Sequence, residues 1–138
     1  MYRAPVLGLS ALATSLICAA ALAATPPALP TGDFSLSAGD TVWSIQATDS
    51  GYQATSHTQA DVQPVFELTD NGRQALWKRM QWPLETVANA RCLGNMLDVF
   101  CQVEAPIAAT IEPLKSAGSS YFHYDRATGV QAIHLQKR

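Results

Sequence analysis

The sequence predicts an α+β domain: a small antiparallel β-sheet with one packed helix and a C-terminal β-hairpin, stapled by one disulfide. A mostly-β sandwich or barrel is the alternative. Three observations lead there. Short runs of aromatic and β-branched residues alternate with polar ones and are separated by Gly, Asp and Asn. The stretch 71–82 places Leu76 and Met80 four apart, behind Thr69-Asp70 and ahead of Pro83, as a capped helix does. Finally, Tyr121-Phe122-His123-Tyr124, a turn ending in Gly129, and a second β-rich run make a hairpin.

The chain of 138 residues divides unevenly. Met1–Ala24 carries one charge, Arg3, then an apolar run ending in Ala-Leu-Ala-Ala, and is expected to be a secretory signal peptide. Cys18 lies inside that apolar run behind Ile17, which is not the small residue that lipidation requires. Residues 25–33, with Pro26, Pro27 and Pro30, read as an extended leader, and 34–138 as a single globular domain. Periplasmic or secreted localisation follows from this reading.

Along the domain, Phe34 and Leu36 alternate with polar neighbours as a first strand, and residues 41–47 form a second. Residues 49–61 are polar and aperiodic, which is consistent with either a long loop or a short polar strand at 51–56. Residues 62–68 are apolar again, but Pro64 points to a sheet edge. Asn71-Gly72 is the ambiguous point: a helix start, or a hairpin turn that would favour the all-β alternative. In the expected strand 97–103, Val99, Cys101 and Val103 share one side and Asp98 and Gln102 the other. A tight turn at Gly94-Asn95 would put Cys92 opposite Leu97, so that turn and a Cys92–Cys101 bond exclude each other.

Cys92 and Cys101 remain after the signal segment. In an oxidising compartment they are expected to pair, since their spacing fits neither a redox Cys-x-x-Cys nor a zinc site. The formal net charge of −2 becomes about −3 without Arg3, which speaks against nucleic acid as a partner. No apolar run beyond residue 24 is long enough to span a membrane.

Candidate chemistry is sparse. His57, His123 and His134 do not converge in any hairpin register, so no metal or cofactor site is expected. Ser44, Ser50, Ser56 and Ser119 lack a nucleophile elbow, and Ser56, His57 and Asp61 match a triad in residue type only. Asp98 and Glu104 share a strand face but stand roughly 20 Å apart, too far for paired carboxylate catalysis. The aromatic stretches are more suggestive. Trp77, Lys78, Arg79 and Trp82 interleave indoles with cations, and Tyr121 and His123 share one hairpin face; these six are the candidate partner-binding residues.

The stretch Phe34–Ala47, through Gly39-Asp40-Thr41-Val42-Trp43-Ser44-Ile45, resembles the opening of a LysM domain, a module that binds N-acetylglucosamine polymers. That resemblance implies a strand-to-helix junction and makes Gly39, Asp40, Thr41 and Trp43 candidate glycan-binding residues. The later Leu-x-x-x-Asn run and closing Pro-Gly-x-x-Leu of that family are absent.

The expectation for function is therefore a non-enzymatic, exported protein-binding protein, of the kind that inhibits or antagonises a basic cell-wall-degrading enzyme. A peptidoglycan- or carbohydrate-binding module is the alternative, and a small hydrolase the third.

Overall fold

The computed structural model describes residues 27–136 except Ala38. The expected signal peptide 1–24 and Cys18 lie outside the described residues. Period-two segments make strands β1 (Gly32–Ser35), β2 (Trp43–Thr48), β3 (Gly51–Ser56) and β4 (Asp61–Glu67). Strands β5 (Ala90–Gly94), β6 (Val99–Val103), β7 (Tyr121–Asp125) and β8 (Gly129–Leu135) follow. Each pairs antiparallel with the next, and β8 returns to β1, so the sheet closes into an eight-stranded barrel. The α+β reading with an open sheet is thereby corrected. The undercounted strands are the polar ones: β3 is Gly-Tyr-Gln-Ala-Thr-Ser, yet it pairs along its whole length with β2 and through Tyr52–Ser56 with β4.

Pro64 does not mark a free edge. Its carbonyl accepts from the Asn95 side chain at 3.1 Å, on the β5 side, and the β4–β5 ladder begins only at Phe66–Gly94. The missing N–H therefore falls outside any ladder bond. The leader is likewise drawn into the fold: Pro30 is fully buried, β1 starts at Gly32, and the Ala28 amide donates to the Gln102 side chain.

Phe34, Trp43, Ile45, Leu93, Phe100 and Ile133 fill the barrel interior. A barrel of eight strands is only wide enough for side chains of this size, and here they occupy it. A second apolar layer lies outside. Helix α1 (Asp70–Met80) and the segment holding α2 (Ala105–Ala108) and α3 (Leu114–Ala117) cover β5, β6 and β7. Leu76, Trp77 and Leu114 there pack on Cys92, Cys101 and Phe122. Helix α1 forms where expected. Thr69 caps it by accepting from the Gly72 amide at 3.1 Å, so Asn71-Gly72 is a helical first turn and not a hairpin.

Cys92 and Cys101 are bonded and stand directly opposite on β5 and β6, with Cα atoms 4.1 Å apart. The turn is not at Gly94-Asn95. Gly94 pairs with Val99, and the four residues 95–98 make the connection. Bond and hairpin thus coexist because the turn centre is two residues later than the dipeptide suggested.

Candidate functional site

Four connections gather at one end of the up-and-down barrel: residues 36–42, 57–60, 95–98 and 126–128. The turn 95–98 differs from the others in how it is held. The Asn95 side-chain oxygen accepts from the amides of Leu97 (2.8 Å) and Asp98 (2.9 Å). Its amide group donates outward to Gln63 Oε1 at 2.8 Å and to the Pro64 carbonyl. Gln63 Nε2 in turn donates to Asp98 Oδ2 at 2.9 Å, and the Asn95 backbone amide to the Asp98 carbonyl at 2.9 Å. Gly94 is required at the base: a Cβ there would stand 2.8 Å from the Asp98 carbonyl oxygen.

Inside the barrel mouth, His123 Nε2 and Asp98 Oδ1 are 2.7 Å apart. The imidazole is buried against both Trp43 and Phe100, with ring centroids at 5.2 and 4.9 Å. Its other nitrogen, Nδ1, faces Asp125 Oδ2 at 3.8 Å. Burial pushes the Asp125 carboxyl up, but bonds from the Thr128 hydroxyl and amide, the nearby His123 and the Ala127 amide outweigh it and hold the group below its ordinary value. Asp98, His123 and Asp125 bring donor atoms within 4.8 Å of one another, spacing that can hold a cation among the described residues. Their closest contacts run in series across the ring instead: Asp98 on one nitrogen, Asp125 on the side of the other. The series anchors the 95–98 turn to β7.

What the turn presents is apolar. Met96 is 96% exposed and Leu97 69%. Beside them runs a groove of about 220 Å³ between the turn, α1 and the end of β7, floored by Leu68, Leu76, Val99 and Tyr124. Phe66 and Val62 lie exposed on the outer face of β4 nearby. Surface leucines occurring singly need no explanation, but a rigidly held apolar tip beside an apolar groove is a feature of interaction surfaces.

A serine, a histidine and an aspartate also meet, though not the set expected. On the outer wall Ser44 Oγ donates to Asp33 Oδ1 at 2.7 Å and lies 2.7 Å from His57 Nε2. The hydroxyl has a single proton, and it goes to the carboxylate. Nε2–H of His57 is therefore the donor of the second bond, and the imidazole cannot act as base toward this serine. Ser56 bonds Thr58 and the Gln59 amide instead of His57.

The six expected partner-binding residues are dispersed. Trp77 is fully buried, its indole N–H donating to Thr86 at 3.0 Å, and Trp82 packs edge-on against it, half-buried. Lys78 and Arg79 are exposed on α1, and only Arg79 lines the groove. Tyr121 and His123 share the interior face; burial raises the Tyr121 hydroxyl above its ordinary value, partly offset by the bond from Gln102. Of the glycan candidates, Gly39 and Asp40 are exposed, Thr41 is half-buried, and Trp43 lies inside the barrel against Phe100. Trp43–Thr48 is a strand where the LysM resemblance implies a helix. No protein-family model, curated protein or solved structure matches the chain.

Met96, Leu97 and Arg126 escaped sequence reasoning. Their signal was two apolar residues set between Asn95 and Asp98, a pair able to close a turn through side chains.

Proposed function

We propose that this protein acts by surface contact and not by catalysis, binding another protein through the 95–98 turn. The observation that carries the reading is the contrast at that turn: Met96, the most exposed large apolar side chain among the described residues, sits on backbone fixed by side-chain bonds to β4 and β7. Fixing the backbone that carries an exposed apolar side chain lowers the entropic cost of docking it, which is how preorganised binders gain affinity. The same barrel end carries exposed Asp40 and Asp61 across the mouth, complementary to a basic partner surface. A protruding tip with an acidic flank suits insertion into the cleft of a basic enzyme. The partner class we propose is therefore an exported wall-degrading enzyme that this protein inhibits, acting outside the cytoplasm. The disulfide and the N-terminal apolar segment support that location.

The test is inhibition of basic wall-degrading enzymes by the purified protein and by its Met96→Asp variant. The native protein is expected to slow at least one such enzyme, and the variant to lose that effect while keeping its melting temperature. Equal inhibition by both would remove the turn from the binding surface. Failure to slow any enzyme would remove the proposed partner class.

A further inference from the structure

The groove beside Met96 has an electrostatic character opposite to that of the acidic flank. Two cations stand in its lining, Arg79 from the last turn of α1 and Arg126 from the β7–β8 turn, and both are exposed. Neither has an ion-pair partner among the described residues; the arginines that do are Arg73, with Asp70, and Arg91, with Glu67. The neighbouring acids are committed elsewhere. Asp98 is engaged by Gln63 and His123, and Asp125 accepts from the Thr128 amide and hydroxyl. The result is an apolar floor of Leu68, Leu76 and Val99 flanked by two cations that the fold leaves uncompensated.

Arginine gains most from a carboxylate that can accept two of its N–H groups, and such pairs strengthen where apolar surface excludes water. A neutral apolar segment would cover the floor while leaving both guanidinium groups without a partner. A basic one would be repelled. A second copy inserting its own Met96–Leu97 tip brings Asp98 already bonded inward, so the carboxylate next to that apolar pair is not free to meet the arginines.

We propose that the groove receives a partner segment in which apolar side chains are flanked by carboxylates, an acidic amphipathic helix or strand lying alongside the docked Met96–Leu97 tip. This rests on the docking reading above and adds the chemistry of the bound segment. The bound protein would then be basic toward Asp40 and Asp61 and acidic toward Arg79 and Arg126, a charge pattern that fixes the orientation of the complex.

The experiment measures fluorescence anisotropy of three labelled amphipathic peptides titrated with the purified protein. The peptides are a Leu/Glu repeat, the same repeat with Gln for Glu, and the same with Lys for Glu. The Glu peptide is expected to bind, the Gln peptide about tenfold or more weakly, and the Lys peptide not measurably. In an Arg79→Glu/Arg126→Glu variant, shown folded by its melting temperature, the preference is expected to pass to the Lys peptide. Equal binding of Glu and Gln peptides, an unreversed preference in the variant, or no binding of any peptide would each overturn the proposal. So would a dimer in sedimentation velocity that Met96→Asp dissociates, because the groove would then hold a second copy. Failure of the underlying docking reading appears separately, as enzyme inhibition untouched by Met96→Asp.

Discussion

The two halves of the barrel wall are built differently. Strands β5, β6 and β7 bury apolar side chains on both faces, Phe100 pointing inward and Cys101 and Val103 outward under α1, and the disulfide lies in that outer layer. Strands β2, β3 and β4 bury apolar side chains only on the inner face. Outward they carry Gln46, Thr48 and Gln53, with Val62 and Phe66 left exposed. One half is a packed core between barrel and helix, and the other a single wall facing water. The candidate binding turn sits where they meet, anchored to β4 through Gln63 and to β7 through His123. The difference separates stability from function: substitutions under α1 should unfold the protein, and those at the turn should silence it.

The largest effect is expected from Trp77→Ala, which empties the centre of the covered layer. A loss of about 3–5 kcal/mol in urea unfolding would place this residue with other truncated core aromatics. Little change would mean that α1 is dispensable to the barrel. Removing the disulfide by Cys92→Ala/Cys101→Ala closes no loop in the unfolded chain and should cost about 2–3 kcal/mol. Binding by the molecules that remain folded should be unaltered; its loss would move the cysteines into the functional surface.

A smaller cost, about 1–3 kcal/mol, is expected for Asp98→Asn, because an amide has one accepting oxygen and can no longer serve both Gln63 Nε2 and His123 Nε2 as the carboxylate does. Its binding defect should exceed that cost, and a purely proportional loss would make Asp98 structural only. On the bare wall, Phe66→Ser should change stability by no more than about 0.5 kcal/mol.

The acid side of the stability curve sharpens the same contrast. Asp125 is held below its ordinary value of 3.8, so its folded-state bonds stabilise the protein above that pH. That contribution falls away as pH drops through the lower folded value. Asp125→Asn should therefore flatten the stability slope below about pH 4 and leave neutral pH little affected. An unchanged slope would detach Asp125 from the barrel-mouth network.

The covered half was the more legible in sequence. Helix α1 was visible from Thr69, the four-residue spacing of Leu76 and Met80, and Pro83. The C-terminal hairpin was visible from its aromatic run and the turn ending in Gly129, while its register, Tyr124 opposite Val130, is set by the structure. The bare half was obscure because a wall with one solvent face and small inner residues, such as Ala54 and Ser56, has too little apolar alternation to register. Barrel closure was illegible for a further reason. It depends on short seams, β1–β8 at two residue pairs and β4–β5 at two, which no local pattern encodes. The candidate site needed long-range knowledge too: Gln63, Asn95, Asp98 and His123 come from different strands and turns. The interleaved tryptophans looked like an anchor because cations separated them, yet α1 turns Trp77 inward and leaves Trp82 stacked upon it.

The central claim is that a fixed apolar tip, more than apolar exposure in general, makes the binding surface. Parallel measurement of partner affinity and melting temperature for Met96→Asp and Phe66→Asp tests it most directly. The account predicts that Met96→Asp weakens binding about a hundredfold at unchanged melting temperature, as loss of a central hot spot does, while Phe66→Asp binds within a few-fold of native. Equal losses from both, or none from Met96→Asp, would contradict it.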